Sequence, residues 1–373
     1  MFETRGLEYS YANSTGKSLD DVNIRIDDGI KTAILGANGA GKSTLFYHLN
    51  GIFKPKKGMV LYKNEPMVYE KEYLRRLRSE VSAVLQNPDD QIFSVTVEED
   101  VAFGLLNAGM SVGEADVRID EVLSAVGLSD FRMRPMRQLS YGQRKRVAFA
   151  SAIATRPSVL VLDEPTAGLD SQMAQEAMET VDQMHHSGTN IIMFTHDVDL
   201  AYAWADCMHV LCGGSLIYSG DPWGFYSDSA KTAVSGLVPP TVFAIDKSLS
   251  ASEEWSADPH PRTAAELLSK ISGKNDTGTL YLIPVRSNIS TDFWEKLPKS
   301  GVKPYIGVFG VNTRRIISGM RQDCMLGCID SCMEEVISGN DAVLVYDDSA
   351  YGIIEKRISR IGVFGAKIKT VIL

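Results

Sequence analysis

Lys31-Thr32-Ala33-Ile34-Leu35-Gly36-Ala37-Asn38-Gly39-Ala40-Gly41-Lys42-Ser43-Thr44 is the stretch on which the fold turns. Its first five residues read as a short apolar strand, buried in a sheet and feeding a loop. Within residues 36–44, Gly36 to Ser43 fit G-x-x-x-x-G-K-[ST] with Thr44 next to it, and Ser43 to Leu49 reads as a helix. The motif therefore lies between a strand and a helix, the context its chemistry needs. Glycines let the backbone curl until successive N–H groups point at phosphate oxygens. The helix N-terminus adds partial positive charge at the same place. Lys42 can reach the β- and γ-phosphates, Ser43 can ligate Mg²⁺, and Thr44 stands close by. A chance glycine turn is the bland alternative, and the flanking strand and helix argue against it.

Downstream, Val159-Leu160-Val161-Leu162 is a second buried strand, and it ends in Asp163-Glu164. In such sheets ligands bind outside the carboxyl ends of the strands. There Asp163 would hold Mg²⁺ through water, and Glu164 would act as general base on the attacking water. Asn190 to Phe194 is a third buried strand, followed by Thr195-His196-Asp197. Upstream, Tyr9, Tyr11, Val22, Ile24 and Ile26 alternate as antiparallel strands do. Residues 70–156 carry helical stretches, one starting at Ser111 before Val112-Gly113-Glu114. Strands alternating with helices predict a parallel α/β sheet.

Leu139-Ser140-Tyr141-Gly142-Gln143 precedes Asp163 by about 20 residues. It resembles the signature of ABC-transporter ATPases, usually Leu-Ser-Gly-Gly-Gln, with Tyr141 where the family has glycine. The resemblance covers residues 1 to about 240. It implies an ABC-type phosphate-loop NTPase: a mixed, mainly parallel sheet, an antiparallel β subdomain and a helical subdomain at about 88–156. It also implies ATP and Mg²⁺ as ligands. Gly36, Ala37, Asn38, Gly39, Ala40, Gly41, Lys42, Ser43 and Thr44 would surround the phosphates, and Tyr11 would stack on adenine. Without the resemblance, Tyr11 reads only as a strand tyrosine. Gln86, in Val84-Leu85-Gln86-Asn87-Pro88, matches the glutamine that touches Mg²⁺ and water while sensing the transporter. Ser140 and Gly142, with Gln143 beside them, match residues that face the γ-phosphate of the opposite subunit. Ala167-Gly168-Leu169-Asp170 resembles the loop that crosses to that subunit. His196 matches the switch histidine on the γ-phosphate; alone it is a satisfied polar residue.

Asn87 to Ser94 and Thr96 to Gly104 look like the ATPases of energy-coupling factor transporters, and Thr195 to Ala201 agrees with the cobalt- and nickel-type members. The resemblance implies an ATP-hydrolysing subunit that pairs with a second copy, since the phosphate loop of one subunit meets the signature of the other. A homodimer would dock on an integral membrane coupling protein, with a separate substrate-capturing membrane subunit, at the cytoplasmic face of the membrane. Cobalt is the first choice of cargo and nickel the second. A vitamin importer of the same type and a soluble ABC ATPase are the alternatives. The soluble class usually carries two cassettes or an inserted coiled coil, and neither is seen. A nucleotide-gated module without turnover is opposed by Glu164 and His196.

Composition agrees with this. The chain has 373 residues, 44% apolar and 23% charged, which suits two or three folded domains. Net charge is −9, from 47 acidic and 38 basic residues. That argues against a whole-chain binder of polyanions, and nucleic acid is not an expected partner. Residues 246–373 hold 16 of each sign, so the first 245 carry 31 acidic and 22 basic residues. No apolar run reaches 18 residues, and Met1-Phe2-Glu3-Thr4-Arg5 lacks the order of a signal peptide. Five cysteines, an odd count, fit reduced thiols.

We read residues 1–240 as the ATPase domain, 241–262 as a linker and 263–373 as a small α/β accessory domain, with a regulatory role as one option and dimerisation as another. In the accessory part, Thr279–Ile283, Pro304–Gly310 and Ala342–Tyr346 read as strands and Thr313–Ser338 as one long helix. Ile-Gly-Val-Phe-Gly occurs at 306–310 and again at 361–365. It marks either an internal duplication or a coincidence in a glycine-rich segment. Cys324, Cys328 and Cys332 fall on one helical stripe, the outer pair about 12 Å apart. That is too far for one Zn²⁺ to hold all three, and small apolar core residues are the simpler reading.

Overall fold

The structure is a computed structural model and describes residues 1–12, 16–250, 256, 258–273, 277–285, 304–318 and 329–373. These pack as two compact units. The first comprises Met1–Asp170 and Ser187–Pro240, the second Ser171–His186 and Thr241–Leu373.

In the first unit, β1 (Phe2–Tyr9), β2 (Leu19–Val22), β3 (Arg25–Ile26), β5 (Lys57–Tyr62) and β6 (Glu65–Pro66) form an antiparallel sheet. A second sheet runs β11 (Ser215–Gly220), β10 (Cys207–Cys212), β4 (Thr32–Leu35), β9 (Asn190–Phe194), β8 (Val159–Asp163) and β7 (Val81–Val84). It is parallel except for the β10–β11 pair. All residues of β4 and β8 are buried, which is why both read as unbroken apolar runs. Helix Lys42–Leu49 buries Leu45, Phe46 and Leu49 in one core with Phe2, Leu7 and Val60 of the first sheet and Val161, Ile192 and Phe194 of the second. The start of that helix is thereby fixed above the carboxyl ends of β4, β8 and β9.

Helices Val97–Asn107, Val112–Ala125 and Tyr141–Ala154 each open on a reciprocal cap: Thr96 with Glu99, Ser111 with Glu114, and Ser140 with Gln143. Each box satisfies two N–H groups that a helix start leaves unpaired, so the sequence sets all three starting points.

The second unit holds a parallel sheet in the order β13 (Tyr305–Phe309), β14 (Ala342–Asp347), β12 (Thr279–Val285), β15 (Lys369–Ile372). The span read as one helix contains two, Val311–Ser318 and Ile329–Ile337, and the residues between them lie outside those described. The repeated pentapeptide does not mark equivalent turns. Its first copy ends β13, whereas its second spans the end of helix Tyr351–Val363. Cys332 is fully buried in the core of this unit; Cys324 and Cys328 lie outside the described residues.

Two segments sit differently from the sequence reading. Residues Thr241–Leu249, placed at the head of a linker, form a helix. It buries Phe243 and Asp246, and Lys270 Nζ meets Asp246 Oδ1 at 2.7 Å. Helix Ser171–His186 belongs to the second unit although flanking strands belong to the first. Its Glu179 accepts from the Gly310 N–H at 2.9 Å and from Arg314, all three being buried.

Candidate active site

Strand register builds the site. Asp163 pairs with Phe194 and Ile34 with the same Phe194, so the ends of β8, β9 and β4 stand level. Beyond them Glu164 N–H donates to Phe194 O (2.9 Å) and Thr195 N–H to Ile34 O (3.1 Å). These bonds bring the phosphate loop, Asp163-Glu164 and Thr195-His196 to one cleft of about 430 Å³.

Tyr11, Ala37, Asn38, Gly39, Gly41, Lys42, Ser43, Thr44, Gln86, Asp163, Glu164 and His196 line it. Gly36 and Ala40 are the buried back of the loop. Ser140, Gly142, Gln143 and Asp170 do not line this cleft. Ser140 instead caps its own helix, with Gly142 buried in the first turn and Gln143 closing the box.

Two glycines are dictated by space. A Cβ at Gly36 would lie 2.5 Å from Leu211 O, and one at Gly41 2.6 Å from Ser18 O. Both also have positive φ, +156° and +104°, and Gly41 caps the helix in the left-handed region. Lys42 Nζ donates to Gly36 O at 2.5 Å and Ala37 O at 3.3 Å, folding the lysine back over its own loop. Burial pushes the Lys42 ammonium below its ordinary pKa. Tyr11 Oη lies 3.2 Å from Thr44 Oγ1, and its ring meets Tyr9 and Phe53 edge-on while staying 41% exposed.

Glu164 is a non-glycine residue at φ +48°. Residues held in that region cluster at functional sites, because surrounding bonds must enforce them. Here Lys145 Nζ donates to Glu164 O (2.8 Å) and Ala167 O (2.7 Å). The side chain accepts from Thr195 Oγ1 at 3.1 Å and meets His196 Nδ1 at 2.7 Å. Burial, reinforced by Glu164, pushes the Asp163 carboxyl up to about 6. Burial lowers Lys145 to about 8.

Lys17, Ser18 and Lys145 were not singled out from the sequence, and Thr195 entered there only as part of the Thr195 to Ala201 stretch, without a role of its own. The direct His196–Glu164 contact was not foreseen either, since it depends on the register of two strands. Ser43, Gln86 and Asp163 offer a hydroxyl, an amide and a carboxylate to one cleft, an oxygen set that suits Mg²⁺. Bound there, such an ion would neutralise phosphate charge. The open face of Gly39, where a Cβ would meet nothing within 4 Å, leaves room for phosphates.

The ABC transporter family model matches residues 19–167. The chain is 45% identical over 242 residues to the energy-coupling factor transporter ATP-binding protein EcfA of Methanocaldococcus jannaschii, covering 65% of this chain and 86% of that one. It is 32% identical over 375 residues to EcfA2 of Methanospirillum hungatei, covering 98% and 93%, so this relative spans the second unit as well. It is 42% identical over 276 residues to the cobalt import ATP-binding protein CbiO of Rhodobacter capsulatus, covering 73% and 98%. Among solved structures, cbiO1 of Clostridium perfringens, part of the ABC transporter complex cbiONQ, aligns with TM-score 0.56 at 37% identity, covering 66% of this chain and 98% of that one.

Proposed function

This chain belongs to the ATP-binding proteins of energy-coupling factor ABC transporters, which are ATPases, and from that premise we propose that it powers import of a transition-metal ion, cobalt before nickel. The observation that carries the ATPase part is the single cleft holding Lys42, Asp163, Glu164 and His196. The cargo rests on the named cobalt relative and on the Thr195 to Ala201 stretch. The chain works as a homodimer at the cytoplasmic face, docked on a membrane coupling protein beside a substrate-capture subunit. Residues 1–240 are the ATPase, with a helical subdomain at about 88–156; residues 263–373 are the accessory domain.

The geometry of the cleft supports the following roles. The phosphate loop and Lys42 bind the β- and γ-phosphates, and Tyr11 takes the adenine. Ser43, Gln86 and Asp163 hold Mg²⁺. Glu164 takes the proton of the attacking water, oriented by Thr195 and His196, and His196 also reaches the γ-phosphate. Ser140, Gly142, Gln143 and Asp170 serve the nucleotide of the partner, which accounts for their standing outside this chain's own cleft.

Affinity-tagged chain recovered from native membranes tests the proposal. Recovery of a small set of hydrophobic subunits, and uptake of radiolabelled cobalt by vesicles containing them, is the expected result. Vitamin uptake would replace the metal cargo. Recovery of the chain alone, active in solution, would replace the importer with a soluble ATPase.

A further inference from the structure

Tyr141 departs from the glycine usual in the signature, and its surroundings give the departure a use. It is the first residue of helix Tyr141–Ala154, next to the capping Ser140. Its hydroxyl donates to the backbone carbonyl of Gln86 at 3.3 Å. Its ring covers Gly168, where a Cβ would come 2.7 Å from the ring Cε1. Gly168 has φ +73°, so the tyrosine and the bare glycine are complementary.

One turn further along the same helix, Lys145 holds the carbonyls of Glu164 and Ala167. Residues i and i+4 share a helix face, so one face touches three segments: the Gln86 loop, the backbone of Glu164 and the 167–168 loop. The two contacts differ in kind. Lys145 is only 3% exposed and belongs to the core, whereas Tyr141 is 36% exposed and lies at the surface. What Tyr141 adds is a link from the signature serine to Gln86, a bond that can break without unfolding anything.

We propose that Tyr141 is a positioning residue that makes Ser140, the Gln86 loop and the 167–168 loop move as one body. A displacement of Gln86 then reaches the signature of the same subunit, and through it the nucleotide held by the other. This rests on the ATPase reading above.

The test compares Tyr141→Phe and Tyr141→Gly with the parent chain by steady-state ATPase kinetics, thermal melting, and dimerisation with ATP in the Glu164→Gln background. Losing one neutral hydrogen bond that matters at the transition state should lower kcat about fivefold. For Tyr141→Phe we expect that fall with KM for ATP and melting temperature unchanged, and an ATP-bound dimer weakened by a similar factor. Tyr141→Gly, which also frees Gly168, should fall at least as far. Phenylalanine kinetics indistinguishable from the parent would overturn the proposal. So would kcat and melting temperature falling together, since that pattern belongs to a packing role. If the parent chain hydrolyses no ATP, the ATPase reading fails instead.

Discussion

Each unit contains a buried carboxylate at the carboxyl edge of a parallel sheet, and the two are held in opposite ways. Glu164, in the first unit, faces a cleft. Its oxygens meet a hydroxyl and an imidazole, its backbone is in a rare conformation, and the ionisable Asp163 stands beside it. Glu179, in the second, is shut in by three donors: Arg314, the Gly310 N–H and Gln175 Nε2 at 3.1 Å. Burial pushes its carboxyl up, and Arg314 beside it pulls back. A carboxylate with a permanent cation and donors on both oxygens is bound into the fold. One that faces a cleft remains available to a ligand bound there. Burial alone therefore does not distinguish a working group from a structural one; the partners do.

Replacing the two should separate these roles. Glu164→Gln removes the proton acceptor while keeping shape. Turnover should fall by about 10²–10⁴, the usual contribution of a general base, while ATP binding persists and an ATP-bound dimer accumulates on size-exclusion chromatography. Near-normal activity would erase the contrast. In the second unit Arg314→Met strands Glu179 without its cation, both side chains being under 10% exposed. Breaking such a pair on one side costs about 3–5 kcal/mol, seen as a lower unfolding midpoint. The joint change Glu179→Met with Arg314→Met should recover most of it. Unchanged stability in the single variant would show that Glu179 is not held as described.

Lys42→Ala sharpens the picture on the first side. Removing one charge-assisted contact to phosphate should weaken ATP binding about tenfold to hundredfold, measured by calorimetry. Affinity equal to the parent would dissociate the loop from nucleotide binding.

Most of the first unit was legible because its signals are local. Continuous apolar runs marked β4, β8 and β9, and an eight-position motif marked the loop that joins β4 to its helix. The capping boxes at Ser111 and Ser140 set helix starts within four residues. What escaped is set by residues far apart in the chain. Tyr141 meets a carbonyl 55 positions away, and Lys145 reaches two loops at once. The second unit offered fewer local signals. The same five residues, Ile-Gly-Val-Phe-Gly, are a strand end in one place and a helix end in another, because neighbours decide. Helix Ser171–His186 looks in sequence like one more connection between β8 and β9. Residues distant in the chain draw it to the second unit, among them Gly310, Arg314 and, beside His186, Gly352.

The last effect concerns Asp163, whose position costs stability. Its ordinary pKa of 3.8 is raised to about 6, first by burial and then by Glu164. Below about pH 4 the group is protonated folded or unfolded and costs nothing. Between 4 and 6 the unfolded chain ionises first, so stability falls as pH rises, and above 6 the whole penalty is present. A shift of about two units corresponds to about 3 kcal/mol at most. With nucleotide and Mg²⁺ removed by chelator, Asp163→Asn should therefore be more stable than the parent at pH 7 to 8. That gain should shrink to nothing as the pH approaches 4. A gain independent of pH would mean that charge is not its source. A loss at neutral pH would mean that Asp163, like Glu179, is held by the fold and not strained by it. If the gain is found, the first unit carries a destabilising charge at the cleft that a divalent cation relieves on binding, whereas the second relieves its own with Arg314.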